Sequence, residues 1–350
     1  MRIVVNNIAA NKGGAMTVLK DFYACVCEND KENQWIFLLA DKYFEETENV
    51  KIITLPEIKK NPFKKILFDF ITGKKYINNL KPDVVFSMQN IMTFGVKAPQ
   101  IVYLHQPLPF QKQKKFSFFK SSERNLAVKQ YIVGAIIKKS VKKADKIIVQ
   151  TKWMQESVCN KCNVNKEKVV NILPNAKNIA KKTNNYDAFD NTKFFYPTSQ
   201  VLYKNNELVF TVSNMLNTEN IKHHVELTLN EDKSRFSVNC IGRIAYEEVV
   251  EKYNTSTLIF PSYIETFGYP LAEARQAGTI ILASDTDFSR ELLCGYENAY
   301  LFNPFKPEEL ASLMKKVISR EIERKETESF LEPLQDNWKN IMNEVIALAE

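Results

Sequence analysis

The sequence has no apolar stretch long enough to cross a bilayer. The longest uncharged apolar run near its middle, Tyr131 to Ile137, falls far short of the roughly 20 residues that a membrane-spanning helix needs. A secretory signature is missing too: the opening MRIVVNNIAANKGG offers an apolar run of only about four residues and no small-residue cleavage pattern. The expectation is a chain that stays in the cytosol. Cysteine is sparse and scattered, at 25, 27, 159, 162, 240 and 294, which excludes a disulfide framework in a reducing compartment. Cys159-Asn-Lys-Cys162 is a lone CxxC with no second pair and no nearby histidine, so neither zinc nor redox chemistry is expected of it. Glycine is scarce, 9 in 350 residues, and 45% of the chain is hydrophobic against 25% charged. That is neither a collagen-like nor a disordered composition, and the length suits about two domains.

Charge is present but unevenly spread. Residues 51–150 hold 20 Lys/Arg against 5 Asp/Glu, a balance of 20 − 5 = +15, and because the whole chain is +7 the remainder is 7 − 15 = −8. A basic region beside an acidic remainder suggests an anionic partner that approaches one half of the molecule. No RNA-binding aromatic motif or helix-turn-helix signal accompanies it, so nucleic acid is not the expected partner.

Short β-branched runs alternate with longer amphipathic segments, the pattern of βα units on a parallel sheet. The first series of strands is expected at Arg2–Asn6, Trp35–Ala40, Lys51–Leu55, Asp83–Ser87, Ile101–Leu104 and Lys146–Gln150, with helices at Ala15–Cys27, Pro62–Leu80 and Glu123–Lys143. A polar stretch without hydrophobic period, 176–192, reads as a linker. The second series is expected at Lys193–Tyr196, Val225–Leu229, Phe236–Ile241, Ser256–Phe260, Thr279–Ala283 and Ala299–Phe302, with helices at Pro270–Gly278 and Pro307–Arg320. The division is therefore 1–175, linker 176–192, 193–325 and a closing helical segment 326–350. Two such halves leave a cleft, and ligands of these sheets bind at the carboxyl ends of the strands.

The most informative segment is PSYIETFGYPLAEARQAG, 261–278. After a strand, a loop carries Glu265 and then Phe267-Gly268-Tyr269; Pro270 fits the first helical turn, where its missing N–H costs nothing. The helix that follows presents its positive dipole end and free N–H groups to the loop, an arrangement that holds phosphate. Glu265 and Glu273 flank that position. Like charges repel, so the two carboxylates are unsuited to phosphate and suit the hydroxyls of a sugar or ribose.

These residues resemble the retaining glycosyltransferases of family 4, which have the GT-B fold: α/β, two Rossmann-like domains facing each other across a cleft. The family's Glu-x7-Glu with Gly-x-Pro between the acids is reproduced by Glu265 and Glu273. Other family features fall in order: Gly13-Gly14 after the first strand, KPDVV (81–85), His105 after IVYL, ADKIIVQT (144–151), Lys204-Asn205, Gly242-Arg243-Ile244 and the Pro261-Ser262 pair. Trp338 matches the closing helix that crosses back to the first domain. The resemblance implies Glu265 and His105 as catalytic residues, and Gly14, Lys204, Phe267, Gly268, Tyr269 and Glu273 as the nucleotide-sugar site. Glu265 would serve the transferred sugar, Glu273 the ribose, Lys204 the diphosphate, and backbone at 267–269 the sugar hydroxyls and phosphate.

It further implies no cofactor and no metal, a UDP- or GDP-linked donor as substrate, and a saccharide or lipid-linked saccharide acceptor in bacterial surface polysaccharide synthesis. One departure stands out, since the arginine expected shortly before the lysine is absent and Ser199 lies in that region. Losing that cation weakens a diphosphate site by about 1–3 kcal/mol. A catalytically silent partner subunit and a sugar-nucleotide 2-epimerase of the same fold therefore remain as alternative readings. Asp285-Thr286-Asp287 reads as a chance D-x-D, and His223 and His224 as structural. Finally, 59–71 and 112–120 interleave lysines with large apolar side chains, which suits an anionic membrane surface at the inner face of the plasma membrane.

Overall fold

The structure, a computed structural model, describes residues 1–10, 14–174, 188–326 and 337–350. Seven strands form the first sheet: β1 (Arg2–Asn6), β2 (Gln34–Leu39), β3 (Val50–Thr54), β4 (Val84–Ser87), β5 (Gln100–Leu104), β6 (Lys146–Val149) and β7 (Val169–Asn171). Six form the second: β8 (Lys193–Tyr196), β9 (His224–Leu227), β10 (Val238–Cys240), β11 (Thr257–Phe260), β12 (Ile281–Ser284) and β13 (Ala299–Phe302). Their orders are β3-β2-β1-β4-β5-β6-β7 and β10-β9-β8-β11-β12-β13, and the paired strands run parallel. Central strands such as β4 (VVFS) and β11 (TLIF) are buried along their whole length. Helices on both faces of a parallel sheet demand such unbroken apolar runs.

Each sheet has a switch point where the order reverses, between β1 and β4 in the first and between β8 and β11 in the second. The loops leaving these strands diverge to opposite sides and open a crevice at the carboxyl edge. The two carboxyl edges meet. Leu108, Phe116 and Leu126 of the first domain form one apolar cluster with Tyr263 and Ile264 of the second.

The chain then returns to where it began. Helix Asn337–Ala349 buries Trp338, Ile341, Met342 and Val345 in the same cluster as Ile3, Phe22 and Trp35 of the first domain. Lys146 and Glu344 bridge at 2.7 Å on its flank. Residues 176–187 of the expected linker, 327–336 and Gly13 lie outside the described residues.

Two differences from the sequence reading have physical causes. Strand β7 is three residues at a sheet edge, too short to show a period, and was not expected. The long helices expected over 62–80 and 123–143 are each interrupted by a widened, π-type turn, at Phe68–Thr72 and Val128–Val133. Glycine follows both turns. At Gly73 a Cβ would lie 2.5 Å from the Phe68 carbonyl oxygen, so the widened turn tolerates no side chain there.

Candidate active site

Strand β8 is followed by Pro197–Lys204 and β11 by Pro261–Gly268, so both loops rise from the switch point of the second sheet. They are tied together by Tyr203, whose carbonyl accepts the Tyr263 N–H at 3.1 Å. The buried Tyr196 hydroxyl donates to the Lys204 carbonyl at 2.9 Å. Lys204 and Glu265 are thereby brought into an ion pair, each about one-fifth exposed or less. Ser262 also donates to Glu265 Oε1, at 2.7 Å. The pairing lets Lys204 neutralise the charge of Glu265.

A cavity of about 510 Å³ opens at the carboxyl ends of β8, β9 and β10. Thr198, Ser199, Thr228, Arg243 and Val249 line it. Arg243 is exposed and makes no ion pair among the described residues. Val249 comes from helix Tyr246–Thr255, and Tyr246 and Tyr253, three residues before and four after, share its face. Their hydroxyls donate to Glu273, at 3.3 Å to Oε1 and 3.0 Å to Oε2, so one helix wall joins the cavity to this carboxylate. Glu273 is 9% exposed and held in one orientation.

Gly268 caps helix Tyr269–Gln276 at φ 94°, a conformation that a side chain makes costly, and turns the loop sharply into the helix. Pro270 has no N–H and the Leu271 N–H is turned to the Gly268 carbonyl at 2.9 Å. Fewer free N–H groups therefore face the loop than expected, and the positive charge there comes mainly from the helix dipole and Lys204. Phe267 is buried against Tyr269, with ring centroids 5.1 Å apart, and only its backbone is available to a ligand. Burial raises the Tyr269 phenol, with the charges of Asp21 in the first domain and of Glu273 adding to the effect.

From the first domain come Gly14, which begins helix Gly14–Asn29 beside the β1–β4 switch point, and His105 after β5. The His105 N–H donates to Asn90 Oδ1 at 2.7 Å, which turns the Asn90 amide nitrogen toward His105 Nε2 at 3.2 Å. An amide nitrogen only donates, so Nε2 accepts and the ring proton sits on Nδ1. Nδ1 is buried with no hydrogen-bond partner among the described residues. Burial pushes the His105 pKa down to about 4, so the ring is neutral at physiological pH. An N–H left unsatisfied in this way, at a cost of about 1–3 kcal/mol, is a donor awaiting an acceptor.

The domains are also fastened through the acidic loop. The Thr266 carbonyl accepts from Thr151 Oγ1 at 2.9 Å and from Trp153 Nε1 at 3.0 Å. Glu291 of the second domain caps the first-domain helix Lys152–Cys162 by accepting the Lys152 and Trp153 N–H groups at 2.8 and 2.9 Å. Sequence reasoning missed Asn90, Thr151, Trp153, Tyr246 and Tyr253. The only signal for the tyrosines was their i, i+7 spacing with Val249 between. Of the discounted motifs, Asp285 is bound by Arg290 through both carboxylate oxygens. Among the described residues no cluster of three metal-ligating side chains occurs. His223 is held by Ser213 and the Ile221 carbonyl, as a structural histidine is.

Residues 204–330 match the family of glycosyl transferases group 1. The matched segment starts at Lys204 and contains Arg243, Tyr246, Tyr253, Glu265 and Glu273, whereas His105, Asn90, Thr198 and Ser199 lie before it. Over the whole chain the fold is similar to that of sucrose-phosphate synthase from Thermosynechococcus elongatus, at 14% identity and TM-score 0.62, covering 99% of this chain and 96% of that one. It is similar to the lipopolysaccharide outer core galactosyltransferase WaaB in its apo form, at 15% identity, TM-score 0.63 and 99% of each chain. Anabaena HepE in complex with UDP-glucose is a third, at 14% identity, TM-score 0.59, with 100% and 97% covered. No curated protein sequence matches. At such identities the likeness shows the fold, which is GT-B: two Rossmann-like domains facing each other.

Proposed function

We propose that the protein is a retaining, metal-independent glycosyltransferase of family 4 that moves a sugar from a UDP-linked donor to a saccharide acceptor carried on a lipid. The observation that carries the reading is the Lys204–Glu265 pair at the switch point of the second sheet, inside the group 1 segment and at the end of the Pro197–Lys204 loop whose first residues line the cavity. The base and ribose would fill the cavity, with the ribose hydroxyls on Glu273. The diphosphate would lie by Lys204 and the start of helix Tyr269–Gln276, where the negative charge of the leaving group grows. Glu265 would hydrogen-bond the transferred sugar, and the Nδ1 proton of His105 would find its acceptor on that sugar. The acceptor would attack from the face the diphosphate leaves, with the leaving phosphate taking the acceptor proton. Closure of the cleft would keep water out. HepE, seen with UDP-glucose, supports the UDP assignment, and WaaB, a lipopolysaccharide outer core enzyme, supports a lipid-borne saccharide.

The test is a thermal-shift screen of nucleotide sugars followed by assay of the stabilising one. Product formed on an added acceptor supports transfer. Isomerised sugar without any acceptor would indicate a 2-epimerase, and binding without turnover a silent partner subunit.

Two further results are expected. Arg243 stands in the cavity that Ser199 also lines, and in the absence of the usual arginine it supplies the second phosphate cation. Calorimetry of Arg243→Ala should show affinity for the nucleoside diphosphate falling about 10- to 100-fold, with the free nucleoside unaffected; equal losses for both would move Arg243 to the base. Chelator should leave the rate unchanged, because Asp285 already holds Arg290. A loss restored by magnesium or manganese would reinstate Asp285 and Asp287 as ligands.

A further inference from the structure

Nine of the fourteen exposed large apolar side chains among the described residues fall between Phe63 and Ile132. They do not scatter over the first domain. Phe63, Ile66, Leu67 and Ile71 belong to one helical stretch, Pro62–Thr72; Phe118, Phe119, Tyr131 and Ile132 belong to a loop and the helix after it. Phe63 is 81% exposed and Phe119 96%, which no packing role explains. Lys139 joins the two groups: its ammonium lies 5.8 and 5.5 Å from the stacked rings of Phe70 and Phe94, and it follows Ile132 by seven residues, about two turns of the same helix. Phe118 and Tyr131 touch at 5.6 Å. Both widened turns lie in this surface, Phe68–Thr72 carrying Ile71 and Val128–Val133 carrying Tyr131 and Ile132.

The same stretch of chain holds the +15 charge balance of residues 51–150. Lysines 60, 64, 74, 75, 115, 120 and 129 are exposed around the apolar side chains, and the facing acids are few, Glu57 and Glu123. Apolar groups that point into water within a basic rim match the layered chemistry of a bilayer with anionic headgroups. An RNA would use the charge and stack bases on Phe63 or Phe119, but would leave the aliphatic Ile66, Leu67, Ile71 and Ile132 in water. A protein partner of acidic, apolar character would fit a concave or flat groove, whereas these side chains project.

We propose that this face is a docking surface for an anionic phospholipid bilayer. Its place relative to the active site deepens the functional reading. Gln111, Lys112 and Gln113 line a small cavity with Glu265, and a few residues on, the same loop ends in the exposed Phe118 and Phe119. Docking therefore brings the headgroup layer to the mouth of the cleft, where a phosphorylated lipid could present its saccharide. Only this last step rests on the glycosyltransferase assignment; the docking itself is measured without turnover.

The test is flotation of the full-length protein with neutral phosphatidylcholine vesicles and with vesicles holding about one-third phosphatidylglycerol, at low and high salt. The wild type should float with the anionic vesicles, float at least tenfold less with the neutral ones, and release about tenfold as salt passes from roughly 0.05 to 0.5 M. Phe63→Ser combined with Phe119→Ser should cut the partition coefficient by at least tenfold while the melting temperature stays at the wild-type value, since both rings are already in water. Lys60→Glu with Lys115→Glu should abolish the preference for the anionic vesicles. No flotation of the wild type at low salt, or equal flotation of the Phe63→Ser, Phe119→Ser variant, would overturn the proposal. So would self-association that disappears in that variant while vesicles are ignored, or tight RNA binding unchanged by it.

Discussion

Glu265→Gln should lose transfer by about 10²- to 10⁴-fold while keeping its affinity for the nucleoside diphosphate within a factor of about 3. The substitution preserves shape and the Ser262 hydrogen bond but removes the charge that Lys204 balances. Freed from its partner, Lys204 becomes a stronger phosphate ligand, so diphosphate affinity is the quantity least at risk and can even rise. Glu273→Gln supplies the contrast. Its carboxylate takes the Tyr246 and Tyr253 hydroxyls and is assigned to the ribose, so nucleotide binding should weaken about 10- to 100-fold while a saturated variant still turns over. Calorimetry with the free diphosphate, together with saturation kinetics, separates the two. Wild-type affinity in Glu273→Gln with collapse in Glu265→Gln would reverse the assignments.

Trp338→Ala should be the most destabilising single change outside the cleft, by about 3–5 kcal/mol. The indole is 4% exposed and sits against Phe22 and Tyr103, with ring centroids 6.1 and 6.0 Å away. At about 2–4 °C per kcal/mol for a unit of this size, the first transition of a thermal melt should fall by roughly 10 °C. Trp338→Phe should cost far less, because Nε1 is buried without a hydrogen-bond partner among the described residues and its removal leaves nothing newly unsatisfied. An unchanged melt for Trp338→Ala would mean that the terminal helix does not hold the first domain.

Local pattern made most of the framework legible. Strands such as Lys193–Tyr196 and Thr257–Phe260 were readable because a buried parallel strand is a short apolar run with a defined end. Glu265 and Glu273 were readable because a loop, a glycine and a helix-starting proline separate them in a fixed way. What stayed hidden depends on distant parts of the chain. The two tyrosines that orient Glu273 come from 20 and 27 residues away, and the bonds to the Thr266 carbonyl span 113 and 115. Such contacts leave no periodic mark. The widened turns were hidden for another reason: the apolar spacing around Phe68 and Val128 still reads as helix, and only the close approach of Gly73 to the Phe68 carbonyl reveals the extra residue. The exposed Phe63 and Phe119 were visible as letters, but whether they faced water was a tertiary question.

Helix Asn337–Ala349 completes the first hydrophobic core although the whole second domain is synthesised before it. Domains emerging from the ribosome usually fold in order from the amino end, yet here Ile3, Phe22 and Trp35 wait for Trp338, Ile341 and Val345 before their cluster closes. While the second domain is being made, the first presents an uncovered apolar face, a surface that chaperones recognise. A nascent chain interrupted between residues 303 and 337 would carry both sheets and the whole Glu265 loop, yet leave that apolar face uncovered. Synthesis and folding are thus linked by topology: the first core closes only after the whole second domain has been made.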